Sequence, residues 1–399
     1  MIFYLVIIAT VFNQIAFKGS KVLMSLYAME LGADAFVVGI LISLYSLFPF
    51  FLAVFAGRLS DRLGPRIPML LGSLGLSGGL LLPFLLPHLA ALYASAAMIG
   101  CFYIFYTVAI QHLIGSFGSG VQRTRNFGIF SLGVALSAMF GPTLAGFSID
   151  LAGHGFTYLL LSLIPAAPVV FLIFFAGGLP PAAAADREAK KPMADLVRNA
   201  PLRRALLTAG IIETGLELFN FYMPIYGHSL GLSASLIGII MGTYATAMLM
   251  MRGLMPMLVR RSSEEAALFG SLSLAAAAFL MFPFITSVTL LMMISFVLGL
   301  GLGCGSPLSL IITYNRAPDG RSGEAMGMRQ TANKFIQVLV PVAVGTLGSA
   351  FGIAPAFWLD SLLLAWGALI MKADARSRVG EGGWLPGNSN VSRRDQFRA

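Results

Sequence analysis

Residues 24–45 read MSLYAMELGADAFVVGILISLY, and residues 223–244 read MPIYGHSLGLSASLIGIIMGTY. A shift of 199 positions lays Met24, Tyr27, Leu31, Gly32, Ala35, Gly39, Ile40 and Tyr45 on Met223, Tyr226, Leu230, Gly231, Ala234, Gly238, Ile239 and Tyr244. The same shift, without a gap, puts Gly128 on Gly327, Pro142 on Pro341, Gly146 on Gly345 and Gly153 on Gly352, so the chain is two copies of one half. The copies differ in charge: Gln14, Lys18 and Lys21 fall on Glu213, Glu217 and Asn220.

With 57% hydrophobic and 11% charged residues, most of this chain cannot face water. Apolar stretches of about 20 residues, enough to cross a ~30 Å hydrocarbon core as helix, occur near 2–29, 36–57, 67–87, 89–114, 126–149 and 156–178, and again near 205–228, 234–258, 265–286, 288–314, 325–350 and 354–371. The expected fold is an all-α integral membrane protein of twelve transmembrane helices in two pseudo-symmetric six-helix bundles, 1–178 and 205–371. A polar linker, 179–204, and a disordered tail, 372–399, complete it. The net charge of +9 does not point to nucleic acid, because Lys and Arg fall only in alternate loops: Arg58, Arg62 and Arg66; Arg123 and Arg125; the central linker; Arg260 and Arg261; Arg316 and Arg321; and the tail. That pattern predicts cytoplasmic termini and a cell (inner) membrane location. The first apolar run lacks a basic n-region and is read as a span, not a signal peptide. Cys101 and Cys304 lie inside spans and read as packing residues; no metal or cofactor is expected.

Between the second and third spans stands GRLSDRLGPR, Gly57 to Arg66. Gly57 permits close helix approach, Gly64 ends the stretch, and Asp61 at a helix end can interact with the positive N-terminus of a neighbouring helix. The loop resembles the signature loop of the major facilitator superfamily, G-x-x-x-D-R-x-G-R-R, departing from it only at Pro65. The resemblance, to a drug/proton-antiporter-like or organic-anion-transporter-like member, covers essentially the whole chain. It implies a transporter rather than an enzyme, and a latch of Asp61, with Arg62 and Arg66, against the start of span 11 near Glu324–Gly327. The second copy has lost the motif, with Pro256, Arg260 and Arg261 at the positions of Gly57, Asp61 and Arg62. Span 5, GIFSLGVALSAMFGPTLAG from Gly128 to Gly146, looks like the family's antiporter-type motif with Ser137 and Ala145 as departures, which favours export. Its Gly128, Gly141, Pro142 and Gly146 are expected to form a hinge or a tight interface. The Arg that many proton-coupled members carry in span 4 is absent: Ala96 stands four residues before Gly100.

Ionisable groups inside spans are the best functional candidates. Gln14, Lys18 and Lys21 share one face of span 1, and Glu213, Glu217 and Asn220 one face of span 7. On span 11, Arg329, Asn333 and Gln337 form a stripe with Gln330 and Lys334 beside it; in the family, spans 1 and 7 line the central cavity. Lys18 or Lys21 pairing with Glu213 or Glu217 reads equally as a gate between the halves, a substrate and proton site, or a structural ion pair. Arg252 is expected to snorkel. Four bases against two acids tilt the expected substrate towards an anionic solute. The function expected is alternating-access transport of a small organic solute, by proton-coupled efflux or by uptake of an organic anion such as a carboxylate, with the proton as coupling ion, the bilayer as partner and a monomer as the working unit. GHSLG at 227–231 imitates a nucleophile elbow, but it ends a membrane span, and no catalytic role is expected. The glycines Gly299, Gly301, Gly303 and Gly305 read as close helix packing rather than a dinucleotide loop.

Overall fold

The computed structural model describes residues 2–117, 120–174, 198–317 and 322–381, with a few helical side chains among them left aside. In chain order the helices are α1 (Ile2–Glu30), α2 (Ala35–Leu63), α3 (Arg66–Leu85), α4 (Leu89–Ser116), α5 (Gly120–Leu163), α6 (Ala166–Phe174), α7 (Ala200–Ser229), α8 (Ala234–Arg261), α9 (Glu264–Met281), α10 (Val288–Gly303), α11 (Gly305–Arg316), α12 (Ser322–Phe351) and α13 (Ala354–Glu381). No strand occurs among the described residues. Backbone polar groups cannot be left open in hydrocarbon, and helices satisfy them internally. Side chains of Phe51, Phe55, Leu74, Leu362 and Leu369 point outward, as a lipid-facing surface requires.

Among the described residues ten stretches are long and apolar enough to cross a membrane, and one of them, Gly128–Phe174, turns at Gly153 (φ 80°) into two. The twelfth span is α7, whose Glu213, Glu217 and Asn220 dilute its hydropathy. Span 6 is the end of α5 continued by α6, span 10 is α10 and α11 joined at Cys304, and spans 11 and 12 are α12 and α13. Glycines shared by the two copies take up shared geometry. Gly153 and Gly352 (φ 80° and 81°) are the breaks before spans 6 and 12, and both need a left-handed residue without a Cβ. Two expected boundaries move. α7 starts inside the linker, at Ala200, because the side chain of Asn199 accepts from the Leu202 amide and Pro201 fits the first turn. Residues 372–381 are helical rather than disordered, because α13 runs on to Glu381 and buries Asp374. The remaining linker and tail, 179–197 and 382–399, lie outside the described residues.

The two bundles meet along α2 with α12 and α5 with α8. A Cβ on Gly39 would collide with the carbonyl of Pro341, and one on Gly238 would stand 2.7 Å from the carbonyl of Pro142. These two crossings occupy matching places in the repeat. One turn further, Gly146 approaches the Ala234 carbonyl and Gly345 the Ala35 carbonyl, again matching. Ser43 donates to the Val338 carbonyl (2.8 Å) and Thr143 to the Gly238 carbonyl (3.1 Å), so backbone contact between the bundles is hydrogen-bonded. All these contacts lie towards one end, here the far end; the loops rich in Arg mark the other, the basic end.

At the basic end the C-terminal bundle holds a buried charge cluster. Arg316 of α11 bridges Asp374 of α13 (2.7 Å) and Glu265 of α9 (3.2 Å), while Arg204 of α7 closes on the other oxygen of Asp374. Glu265 is fully buried, and Arg316 and Asp374 nearly so. Removing one partner of such a cluster strands a buried charge at a cost of about 3–5 kcal/mol. Arg316→Met is therefore expected to lower the thermal unfolding temperature sharply, with Arg316→Met/Glu265→Gln recovering part of the loss. Unchanged unfolding of Arg316→Met would show the cluster to be dispensable.

Candidate functional site

Closure at the far end leaves a cavity of about 610 Å3 between the bundles. It reaches from Lys21 and Tyr45 in the middle of the spans to Gln111 and Gln330, both exposed, towards the basic end. The three polar faces meet in it: Gln14, Lys18 and Lys21 from α1, Glu213 and Glu217 from α7, and Arg329, Gln330, Asn333, Lys334 and Gln337 from α12. A second lobe of about 360 Å3 runs between α5, α7 and α8, and shares Lys18, Glu213, Glu217 and Gln337 with the first. Asn220 lines this lobe while donating to the Leu216 carbonyl (2.7 Å), and so does Arg252, which reaches inward to the Gly303 carbonyl (3.4 Å) instead of snorkelling.

The charges in the cavity are unevenly matched. Lys21 Nζ lies 3.7 Å from Glu217 Oε2, an ion pair that links the two halves directly. Glu213 accepts from Gln337 Nε2 (2.7 Å), whose Oε1 in turn accepts from Lys334 (2.8 Å) and from Ser46 of α2 (3.2 Å). Among the described residues Arg329 donates to neutral acceptors, the hydroxyls of Ser306 and Ser309 and the Ser306 carbonyl. Among the described residues Lys18 has no hydrogen-bonding or ion-pair partner, although it stands where the two lobes join. The lysine that meets Glu217 is thus Lys21, one turn away from Lys18.

Small residues of span 5 have distinct tasks. Gly141 packs against Gly19 and Ile15 of α1, Pro142 forms the crossing with Gly238, and Gly146 meets Ala234. Gly128 has no such role: a Cβ there would meet nothing within 4 Å. Of the loop after span 2, Gly57 would place a Cβ at 4.0 Å from Val108, and Gly64 (φ 73°) ends α2. Arg66, expected to add ion pairs to a latch, donates to the carbonyls of Leu172 (3.0 Å) and Ile173 (2.9 Å) in α6. The side chains of Asp61 and Arg62, and those around the expected partner at 324–327 apart from Ala325, lie outside the described residues. Gly299, Gly301 and Gly303 do serve close packing, against Tyr244, Ala275 and Met248.

A contact the sequence did not single out closes the far end. Asp150, after span 5, accepts from the amides of Ala234 (3.0 Å) and Ser235 (2.8 Å), the orphan donors at the N-terminus of α8. In the other copy the matching residue is Ser349. The carboxylate thus grips across the two halves on one side only.

The sequence model of the Major Facilitator Superfamily matches residues 6–288 and again 205–383. The chain belongs to the major facilitator superfamily. It is 22% identical over 257 residues to the uncharacterized MFS-type transporter YuxJ of Bacillus subtilis (strain 168), covering 62% of this chain and 65% of that one. It is 30% identical over 135 residues to the class B tetracycline resistance protein of Escherichia coli, covering 33% of each. The chain thus matches just under two thirds of the first relative's length and a third of the second's. Among solved structures it is similar to a POT family transporter in complex with 5-aminolevulinic acid (TM-score 0.76, 16% identity, covering 94% of this chain and 96% of that one) and to the peptide transporter POT in complex with sulfate (TM-score 0.78, 15% identity, 94% of each). These likenesses establish the transporter fold.

Burial at the bundle contact acts to raise the Asp150 carboxyl, but the hydrogen bonds from Ser235 and Ala234 outweigh it and hold the group below the ordinary carboxylate range. A depressed folded value means that the grip is present above the unfolded carboxylate pKa and lost as pH falls through the folded value. Asp150→Asn at neutral pH is expected to increase reagent access to a cysteine placed at the far-end crossings, and the wild type to approach the same access only in strong acid. Equal labelling of wild type and variant at neutral pH would show that Asp150 does not hold this end shut.

Proposed function

We propose that this facilitator exports a small organic solute bearing an anionic group in exchange for protons, the two bundles rocking about the cavity so that it opens to one side at a time. The observation that carries the anionic preference is Lys18: an ammonium group at the junction of the two lobes which, among the described residues, forms no ion pair, in a cavity also lined by Arg329 and Lys334, which form none among those residues either. A solute anion supplies the missing charge. Proton exchange is assigned to Glu213 and Glu217. Glu217 can hold Lys21 only as a carboxylate, so protonating it releases the pair that ties α1 to α7. In this reading the basic loops face the cytoplasm, as Lys and Arg flanking spans favour, and the open end of the cavity faces it too. Export is favoured by the span 5 motif, whose Pro142 and Gly146 sit in the inter-bundle contact. The working unit in this reading is the monomer, since the cavity is complete within one chain.

The cation excess equally suits uptake of a carboxylate, and direction separates the two. In everted vesicles, export appears as pH-gradient-driven accumulation of the anion; uptake appears as its opposite. In a screen of organic acids by thermal shift, a ligand that stabilises the wild type is expected to bind Lys18→Gln at least about tenfold more weakly, the loss of one charge-assisted hydrogen bond. Lys21→Gln and Glu217→Gln are expected to uncouple flux from the pH gradient, with partial recovery in the swapped pair Lys21→Glu/Glu217→Lys. Flux that ignores the pH gradient in the wild type, and persists in Glu213→Gln and Glu217→Gln, would falsify the coupling.

A further inference from the structure

Asp360 lies in α13, within the apolar stretch that crosses the membrane, on the side of α7 turned away from the cavity. It is 4% exposed, and its Oδ2 has no hydrogen-bond partner. Gly215 of α7 makes the space for it, since a Cβ there would stand 3.2 Å from that oxygen. The polar neighbour is Thr214, whose single hydroxyl proton is shared between Asp360 and the Ile211 carbonyl (2.7 Å) and supplies no charge. Among the described residues no Lys, Arg or His forms an ion pair with Asp360.

Among the described residues the elements around it offer no counter-ion; Arg252 of α8, which like Asp360 acts on Tyr244, donates to the Gly303 carbonyl (3.4 Å) and forms no ion pair with Asp360. Glu213 and Glu217 of α7 face the cavity, and Tyr222 donates to the Val344 carbonyl. Glu264 and Glu265 of α9 lie at the basic end near Asp374, fourteen residues further along α13, about 21 Å as helix. Arg329 and Lys334 of α12 line the cavity, and the tyrosine whose environment Asp360 touches is Tyr244 of α8.

The repeat supplies a control. The position matching Asp360 is Leu161, fully buried in span 6, and its Cδ1 lies 3.4 Å from where a Cβ of Gly19 would stand. Gly19 matches Leu218, one turn along from Gly215, so the two contacts lie on the same helix face one turn apart, with a leucine where the second copy has an acid. The packing does not require a carboxyl there. A carboxylate at this depth without a cation is costly, whereas a carboxyl that carries a proton is neutral.

We propose that Asp360 is a proton-binding site of the C-terminal bundle, separate from the cavity carboxylates and walled off from them by α7. Release breaks the carboxyl O–H bond, passing the proton to water that enters between α7 and α13 and leaving the carboxylate; rebinding reverses the step. The test is infrared spectroscopy of the full-length protein in lipid vesicles at neutral pH. The wild type is expected to show a protonated-carboxyl stretch that disappears in Asp360→Asn and in Asp360→Leu but persists in Glu213→Gln and Glu217→Gln. Asp360→Leu installs the residue that the first copy already tolerates, and thermal unfolding verifies that it is folded. Superimposable carboxyl regions in the wild type and a folded Asp360→Leu would overturn the proposal. Failure of proton-driven export would leave the band in place, so the two readings fail separately.

Discussion

Two places where backbone meets backbone, Gly39 against Pro341 and Gly238 against Pro142, determine how the bundles can sit. In hydrocarbon no hydrophobic gain draws helices together, so association rests on close packing and on polar contacts between them. Without side chains at 39 and 238, α2 and α12 approach closely, as do α5 and α8, and Ser43 and Thr143 add hydrogen bonds to the neighbouring helix's carbonyls. Those four helices therefore take the contact between halves. α1, α7 and the middle of α12 are left facing the gap, and the gap is where Lys18, Glu213 and Lys334 stand.

The frame is two-fold, and the chemistry laid on it is not. At the far end Asp150 grips α8, where Ser349 stands in the other copy. At the basic end Arg66 ties span 3 to the end of span 6 through carbonyls, while the matching Glu265 joins Arg316 and, through it, Asp374. A carboxyl and an arginine thus perform the same mechanical task at one repeat position. Each needs a different partner, so each half has acquired its own. The symmetric scaffold thus carries unequal fastenings: Asp150 holds the two bundles together at the far end, whereas Arg66 and the Arg316 cluster each brace the inside of one bundle at the basic end.

Periodicity and the repeat made the spans legible, because apolar length and a 199-residue register are properties of the sequence itself. They also placed the three polar faces, since residues three and four apart share a helix face whatever the tertiary structure. Which lysine meets which glutamate was not legible. Lys18 and Lys21 lie one turn apart on the same face, and only the relative height of α1 and α7 selects Lys21. The contacts of Arg66 were not legible for a similar reason: the sequence shows a cation at a helix start, but not that the carbonyls of Leu172 and Ile173 lie beside it. Asp360 and Asp374 escaped notice because they sit in a single apolar or tail-like stretch, without the paired spacing that marked Glu213 and Glu217. Comparing the copies position by position exposes Asp360, since Leu161 is what the scaffold alone would place there.

The choice between a gate and a binding site, open while only spacing was known, takes a different form once the distances are fixed. Lys21 is occupied by Glu217, and Lys18, in the same cavity, forms no ion pair among the described residues. On the proposed reading an anion entering at Lys18 comes within reach of Lys21 and competes with Glu217 for it. A glutamate that loses its lysine inside the membrane is stable only with a proton. Binding of the solute and protonation of Glu217 would then be linked through one shared ammonium group, with no dedicated relay. On that reading no arginine is needed at Ala96 in span 4. A carrier whose coupling works by competition needs a second base near the first, and the one-turn spacing of Lys18 and Lys21 provides it.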